Sequence, residues 1–463
     1  MAVPFHDVNE IRADFSAAMS AMYRAEVPAY GQLINIVSEV NDAVLNSDTA
    51  AVLNMKPEED VHRIAQERHG AIRLGTPQEL AMMARVFAVM GMYPVGYYDL
   101  SVASVPVHST AFRPIERADL SANPFRVFTS LLRLELIEDD TLREKAAVVL
   151  DERQIFTKKA VELTVKAELQ GGLNKSDADQ FVVEVLEAFR WHSDACVDAD
   201  TFGALIKAHR LIADVVSFKG PHINHLTPRV LDIDAAQNAM ISQNLPAKAV
   251  VEGPPRRKCP ILLRQTSFKA LDEKVSFPER DGRLSAGKHT ARFGEIEQRG
   301  AALTPKGRAL YDHLLATARE TITPAADGSN TMDYAANLAE TFAKFPDTWR
   351  EIHDQELAYF KYSIADASSA FSSGMSINVL LDLGVLSISP VIYEDFLPVS
   401  AAGIFQSNLG DDAQGNKQAA SSQDQFEAAL GCKVANEFAL YEAIQSESLS
   451  HCLAHLETVR SAD

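Results

Sequence analysis

The sequence has few cysteines, no long apolar run and no excess of positive charge. Its four cysteines, among 463 residues, include no Cys-x-x-Cys pair, so they predict neither a disulfide framework nor a cysteine metal site. No segment approaches the ~18 consecutive apolar residues of a membrane span. The opening residues, MAVPFHDVNEIRADF, lack the basic and apolar regions of a signal peptide. We therefore expect a reduced, cytoplasmic protein without a membrane partner.

Positive charge is scarce, because 44 lysines and arginines face 63 acidic residues, which gives a formal net charge of -19. Such a surface repels phosphate backbones and anionic lipids, which argues against nucleic-acid and membrane partners. An anionic small-molecule substrate would need a local positive group inside its pocket, such as a metal ion or an arginine. The share of hydrophobic residues, 47%, is ordinary for a globular protein and allows a large core.

Changes in hydrophobic periodicity predict an α+β protein with five segments. Two of them have the order strand, helix, strands, which describes a βαβββ unit, and the second of these is the longer. The predicted segments are an N-terminal helical segment (1–60), a first βαβββ module (61–118), a helical insertion (119–215), a second βαβββ module (216–300) and a mostly helical C-terminal region (301–463) that contains a loop near 395–410.

The first module has a clear helix start after its opening strand, RHGAIRLG. Thr76 is a predicted N-cap, Pro77 takes the first helical position, and Glu79 completes a capping box. Gly91 is a natural end for this helix.

The first strand also carries the first candidate site residues. On a strand of period two, His69 and Arg73 share one face, so an imidazole and a guanidinium point into the same space. An arginine salt bridge on a solvated face is the alternative interpretation.

The second module offers two pairs of candidates that spacing alone does not resolve. In HINH, the neighbouring prolines favour a strand, so His222 and His225 point to opposite faces and one of them at most is a ligand. In FGEIEQRG, Glu295 and Glu297 share a face of a strand, and either could pair with a neighbouring arginine instead. A metal site follows only if histidines converge on one of these glutamates.

The two units, with a histidine on the first strand of each, resemble the vicinal oxygen chelate superfamily. FGEIEQRG is similar to the strand that carries the glutamate ligand in 4-hydroxyphenylpyruvate dioxygenases and hydroxymandelate synthases, and INHL is similar to a histidine strand of the same enzymes. The resemblance implies paired βαβββ modules that form a cupped sheet. It also selects His225 over His222 and Glu295 over Glu297.

A second resemblance extends over nearly the whole chain. The strings that carry it are RHGAIRLGT, NPFRVFTSLLR, HINHLTPR, FGEIEQRGAALTPKGRALYD and YEDFLPVSAAGIFQSNLG, which in this order resemble the 2-oxoadipate dioxygenase/decarboxylase family. The resemblance implies an Fe(II) site formed by His69, His225 and Glu295, with both histidines also touching substrate. It further implies substrate contacts from Arg73 and from the main chain at Val399.

The implied reaction converts 2-oxoadipate and O2 into 2-hydroxyglutarate and CO2, with both oxygen atoms incorporated, as a step of lysine degradation. Two neutral imidazoles and one carboxylate on one face of an octahedral ion leave three positions open. A 2-oxo acid can take two of them and O2 the third. Arg73 would hold the distal carboxylate of the substrate through charge-assisted hydrogen bonds.

Two other functions fit the same residues. A glyoxalase-like isomerase or lyase would use its metal as a Lewis acid with a fourth protein ligand, for which Glu297 is the candidate. A non-catalytic protein that binds small molecules could retain the fold without chemistry. The sequence does not define an oligomeric state.

Overall fold

The computed structural model describes residues 4–47, 63–279, 281–290, 292–325, 328–366, 374–397 and 418–462. Within these ranges helices and strands form a mixed α+β structure, as the sequence predicts. Val399, most of the predicted 395–410 loop and the end of the N-terminal segment lie outside the described residues.

The strands, numbered in chain order, are β1 (Arg68–Leu74), β2 (Tyr93–Asp99), β3 (Val107–Arg113), β4 (Arg126–Leu132), β5 (His225–Pro228), β6 (Leu263–Ser267), β7 (Asp272–Pro278), β8 (Leu284–Thr290), β9 (Glu295–Arg299), β10 (Phe360–Ile364) and β11 (Leu386–Pro390). The helices are α1 (Val8–Glu26), α2 (Pro28–Leu45), α3 (Pro77–Val89), α4 (Arg117–Ala122), α5 (Asp140–Asp151), α6 (Lys158–Gln170), α7 (Lys175–Leu186), α8 (Ala199–Ala208), α9 (Arg210–Val216), α10 (Ile233–Ser242), α11 (Pro305–Thr321), α12 (Thr331–Phe342), α13 (Trp349–Asp354), α14 (Ile377–Asp382), α15 (Gln418–Leu430) and α16 (Glu437–Ala462).

The predicted start and end of the helix in the first module are confirmed, and a proline also opens the second helix of the chain. Pro28 stands at the first position of α2, where its missing N–H costs nothing. Thr76 and Glu79 form the predicted capping box of α3. Gly91 comes directly after the C-cap residue of α3. It has a left-handed backbone conformation, with φ of 66°, which glycine adopts readily.

A five-stranded sheet in the order β2-β3-β4-β1-β5 forms the centre of the molecule. β1 runs parallel to β4, as a βαβββ unit requires, and antiparallel to β5. The helical prediction for the start of the 119–215 segment is wrong for residues 126–132, which are strand β4. Every residue of β4 is buried, so the apolar/polar alternation that marks a half-exposed strand is missing from its sequence.

The two faces of this sheet are covered differently. Ile72, Val127 and Leu226 point to a large core that contains α1, α2, α3, α6 and α7. Ala71 and Phe128 point the other way, toward a core shared with α5, α8 and α9 of the helical insertion. The insertion therefore packs against both faces of the sheet.

The second module joins the sheet through its first strand. β6 pairs with β9, β7 pairs with β8, and a parallel bridge between Arg229 and Glu297 connects the end of β5 to β9. Gly70 leaves room for the segment before β5, because a Cβ there would lie 2.4 Å from the tip of the Ile223 side chain. The strand predicted at HINH begins only at His225, so His222 precedes it.

The C-terminal region is mostly helical, as predicted, with a single β10–β11 pair in its described part. Residues from α11, α12 and β10, including Tyr311, Phe342 and Phe360, form a core together with residues 259–263 of the second module. None of the helices in the described ranges combines the length and the apolar character that a membrane crossing requires.

Tyr23 on α1 connects the N-terminal segment to both strands of the second module that carry candidate ligands. Its fully buried hydroxyl lies 3.0 Å from the carbonyl oxygen of Asn224, next to β5, and 2.8 Å from that of Phe293, just before β9. One O–H is shared between two carbonyls, so this side chain fixes the spacing of the two chain segments.

We expect Tyr23→Phe to lower the free energy of unfolding by ~1–3 kcal/mol, because the buried carbonyl of Phe293 loses its donor. The carbonyl of Asn224 keeps a second donor, the backbone N–H of Phe293. Thermal unfolding of the variant beside Tyr93→Phe, at an exposed tyrosine, measures this effect. Equal melting temperatures for the two variants would contradict the tethering role of Tyr23.

Candidate functional site

Strand register brings both predicted histidines to one face of the sheet. His69 pairs with Thr227 across the β1–β5 ladder, and Ala71 pairs with His225. Paired residues project to the same side of a sheet, so His69 and His225 lie on one face at adjacent positions. Their ring centroids are 5.5 Å apart and the rings are nearly perpendicular. His222 lies outside this ladder.

Glu295, the first residue of β9, completes the group. One ligand-type atom from each of His69, His225 and Glu295 lies within 4.8 Å of the others, and all three side chains are fully buried. The Nε2 atom of His69 is 3.5 Å from Oε1 of Glu295. The structure thus brings together the three residues that the sequence resemblance selected.

Several polar atoms of this triad have no hydrogen-bond partner among the described residues. They are both ring nitrogens of His225, Nε2 of His69 and Oε2 of Glu295. The other oxygen of Glu295 accepts a hydrogen bond from Gln265 Nε2 at 2.9 Å. Because buried polar atoms are rarely left unpaired, a convergent set of this kind fits a bound cation. Two imidazoles and one carboxylate suit a first-row transition metal.

The electrostatics of the triad also suit a cation. Burial, with His69 and Arg73 nearby, lowers the pKa of His225 well below its usual value, which keeps that imidazole neutral and available as a ligand. Burial raises the pKa of Glu295, and the neighbouring Glu297 carboxylate raises it further. A metal ion at this point would favour the ionised form of Glu295, since a positive charge there opposes both effects.

Glu297 faces His69 from the other side of the ring. Its Oε2 lies 3.1 Å from Nδ1 of His69, whereas its Oε1 accepts a hydrogen bond from Arg299 Nε at 2.7 Å. Burial would raise the pKa of Glu297, but Arg299 and His69 outweigh it and hold the value at about 2. Glu297 is therefore an ionised neighbour of His69 and not a member of the three-residue group. Carboxylates in this position orient metal-binding histidines.

A buried set of charges surrounds Glu297. Glu67 receives hydrogen bonds from Arg126 at 2.8 Å and from Arg229 at 2.9 Å, and Arg126 also donates to Glu394 at 2.7 Å. These residues were not among the predicted site residues, because charged residues separated by 59 to 268 positions give no local pattern. No local signal in the sequence marks Arg126, which lies on β4 directly opposite His69.

Arg73 lies on the same face of β1 as His69, as predicted, and is 8% exposed. Its Nη1 donates to Oδ2 of Asp214 at 2.5 Å. The salt bridge that the sequence left open thus exists, but in the interior and not on a solvated face. Asp214 belongs to α9 in the helical insertion and was not among the predicted site residues.

Two aromatic rings flank the triad. Phe396 contacts the ring of His69 at a centroid distance of 4.8 Å, and Phe293 contacts that of His225 at 4.9 Å. They give the group apolar walls, which strengthens electrostatic interactions inside. The predicted main-chain contact at Val399 lies outside the described residues, three positions after Phe396.

The buried triad of two histidines and a glutamate defines the class of site found in mononuclear metalloproteins with open coordination positions. A family model described as 2-oxoadipate dioxygenase/decarboxylase matches residues 15–408. The chain belongs to this family.

Individual relatives agree with the family match. The chain is 55% identical to the 2-oxoadipate dioxygenase/decarboxylase of Pseudomonas putida over 97% of both chains. It is 53% identical to the Escherichia coli protein of the same name over 96% of this chain and 98% of the other. Among solved structures, it is similar to the hydroxyglutarate synthase of Pseudomonas putida in complex with 2-oxoadipate, with a TM-score of 0.89 and 53% identity over 98% of this chain and 100% of that one.

We expect Glu297→Gln to weaken binding of a divalent metal by about 10- to 100-fold, because the amide loses the charge that faces His69. Competition with a coloured chelator measures this affinity without turnover. Glu273→Gln is the matched control, since Glu273 pairs with Arg292 and is outside the triad. Equal metal affinity in the two variants would show that Glu297 does not support His69.

Proposed function

We propose that this protein is an Fe(II)-dependent enzyme that converts 2-oxoadipate and O2 into 2-hydroxyglutarate and CO2. Membership of the family supports the proposal, as do the names of the relatives from Pseudomonas putida and Escherichia coli. The solved relative with 2-oxoadipate bound supports the choice of substrate. The reaction needs no second reductant, because the substrate supplies all the electrons that O2 accepts.

The observation that carries the proposal is the buried triad. We assign His69, His225 and Glu295 as the metal ligands, since their unpaired polar atoms converge within 4.8 Å. Iron held there would supply open coordination positions and the electron exchange that activates O2 toward a 2-oxo acid. Gln265 and Glu297 would hold the ligand side chains in place.

The remaining roles belong to residues beside the triad. Arg73 would bind the distal carboxylate of 2-oxoadipate through charge-assisted hydrogen bonds and so orient the reacting end toward the metal. Phe293 and Phe396 would exclude water from the reacting end. We retain the main-chain atoms of Val399 as a further substrate contact, on the sequence resemblance alone.

Two broader assignments accompany the proposal. The antiparallel pairing of β1 with β5, each carrying one histidine, supports paired modules of the vicinal oxygen chelate type. A cytoplasmic role in lysine degradation rests on the family resemblance.

The geometry favours this function over the alternatives. A glyoxalase-like isomerase or lyase would need Glu297 as its fourth ligand, but Glu297 faces Nδ1 of His69, whereas Glu295 faces Nε2 of the same ring. In a protein that only binds small molecules, buried imidazoles with unpaired nitrogens would lower stability without a compensating role.

We expect the iron-loaded protein to consume O2 when 2-oxoadipate is added and to release CO2 in equal molar amount. His225→Ala and Glu295→Ala should lose both the iron and the O2 uptake, whereas His313→Ala, at an exposed helical histidine, should keep both. An oxygen electrode and metal analysis of the purified proteins measure these quantities. Full iron content and activity in either triad variant would contradict the ligand assignment.

We expect Arg73→Ala to raise KM for 2-oxoadipate by about 10- to 100-fold, the loss of one charge-assisted contact. The iron content should stay at the level of the unmodified protein. Arg85→Ala, at a half-exposed arginine that pairs with Glu168, is the control. Loss of iron in parallel with activity would contradict a role for Arg73 in substrate binding.

A further inference from the structure

Helix α9 of the insertion carries one buried acid in an apolar setting. Every residue from Leu211 to Val216 is buried, and Asp214, at 5% exposure, is the single ionisable residue among them. An isolated buried carboxylate is costly, so Asp214 depends on its partners. Apolar packing does not account for a carboxylate at this position, so its polar contacts must explain it.

Both oxygens of Asp214 are engaged by side chains from different elements. Oδ1 lies 2.7 Å from Nε2 of His289 on β8 and 3.3 Å from Nε2 of His222. Oδ2 accepts from Nη1 of Arg73 at 2.5 Å and lies 3.4 Å from Nδ2 of Asn224. The carboxylate thereby joins the insertion, β1, β8 and the segment before β5.

These contacts restrain Asp214 itself. Trp191 stacks on His289 with an interplanar angle of 9° and meets His222 edge to face at 4.7 Å. Phe218 packs against His289 as well, at 5.0 Å. Because rigid aromatic rings back both histidines, the position of the Asp214 carboxylate is fixed from the side opposite Arg73.

A fixed Asp214 carboxylate also fixes the distance between the Arg73 guanidinium and the triad. Arg73 lies four residues after His69, which is about 13 Å along a strand, so the position of its long side chain decides where a bound carboxylate sits. Asn224, which Asp214 also contacts, directly precedes His225. Asp214 therefore ties the guanidinium of Arg73 to the segment that carries a triad histidine.

We propose that Asp214 is a positioning residue that sets the chain length of the accepted diacid by fixing Arg73 relative to the His69–His225–Glu295 triad. The inference rests on the proposed function for the role of Arg73. It gives the helical insertion a part in substrate selection, since α9 delivers the carboxylate that aims the arginine.

The test measures binding and turnover separately. Calorimetry without O2 on the metal-loaded protein compares 2-oxoglutarate, 2-oxoadipate and 2-oxopimelate, which differ by one methylene each, with the monoacid 2-oxohexanoate. For Asp214→Asn we expect affinity for 2-oxoadipate to fall by about 10- to 100-fold. Affinity for 2-oxohexanoate and metal content should be unchanged. Asp151→Asn, at an exposed aspartate of the same insertion, should match the unmodified protein.

A double variant separates positioning from general damage. In an Arg73→Ala background, Asp214→Asn should cost no further affinity for 2-oxoadipate, because its effect passes through Arg73. Additive losses, or equal losses for the diacid and the monoacid, would overturn the proposal.

Asp214→Glu keeps the charge and is the variant to use if Asp214→Asn does not fold. It should change the order of preference among the three diacids, and an unchanged order would overturn the proposal. If the protein binds 2-oxoadipate in this Asp214-dependent way but does not consume O2, the proposed reaction fails while the positioning role stands.

Discussion

Glu297 contacts His69 on one side and Arg299 on the other, and all three side chains are buried. A buried charge without a partner is costly, and removing one member of a buried ion pair typically destabilises a protein by ~3–5 kcal/mol. The orientation of His69 therefore depends on charges that lie behind it. Arg126 and Glu67 extend the same set of contacts, so the triad stands at the edge of a buried network of charges.

Distant parts of the chain converge on this centre. Tyr23 from the first helix fixes the segments before β5 and β9, and Asp214 from the insertion fixes Arg73. Phe396, from the C-terminal region, closes the side of His69. Residues outside the sheet therefore contact Arg73, His69 and the segments that precede His225 and Glu295, so the sheet alone does not position this group.

Local patterns in the sequence predicted the fold class, the capping box of α3 and the shared face of His69 and Arg73. They left His222 and His225 unresolved, because the strand begins at His225 and a backbone kink with positive φ at His222 has no sequence signature. Strand β4 was missed because it is buried on both faces. The roles of Glu297 and Asp214 depend on contacts across long sequence separations, which periodicity cannot reveal.

The central proposal is that the triad directs both atoms of O2 into the product of a 2-oxo acid. Turnover of 2-oxoadipate under heavy-isotope O2, followed by mass spectrometry, tests it most directly. Both labelled atoms should appear in 2-hydroxyglutarate, one in the new carboxylate and one in the hydroxyl group, with unlabelled CO2 released. Product formed without O2, or product that carries no label, would contradict the claim.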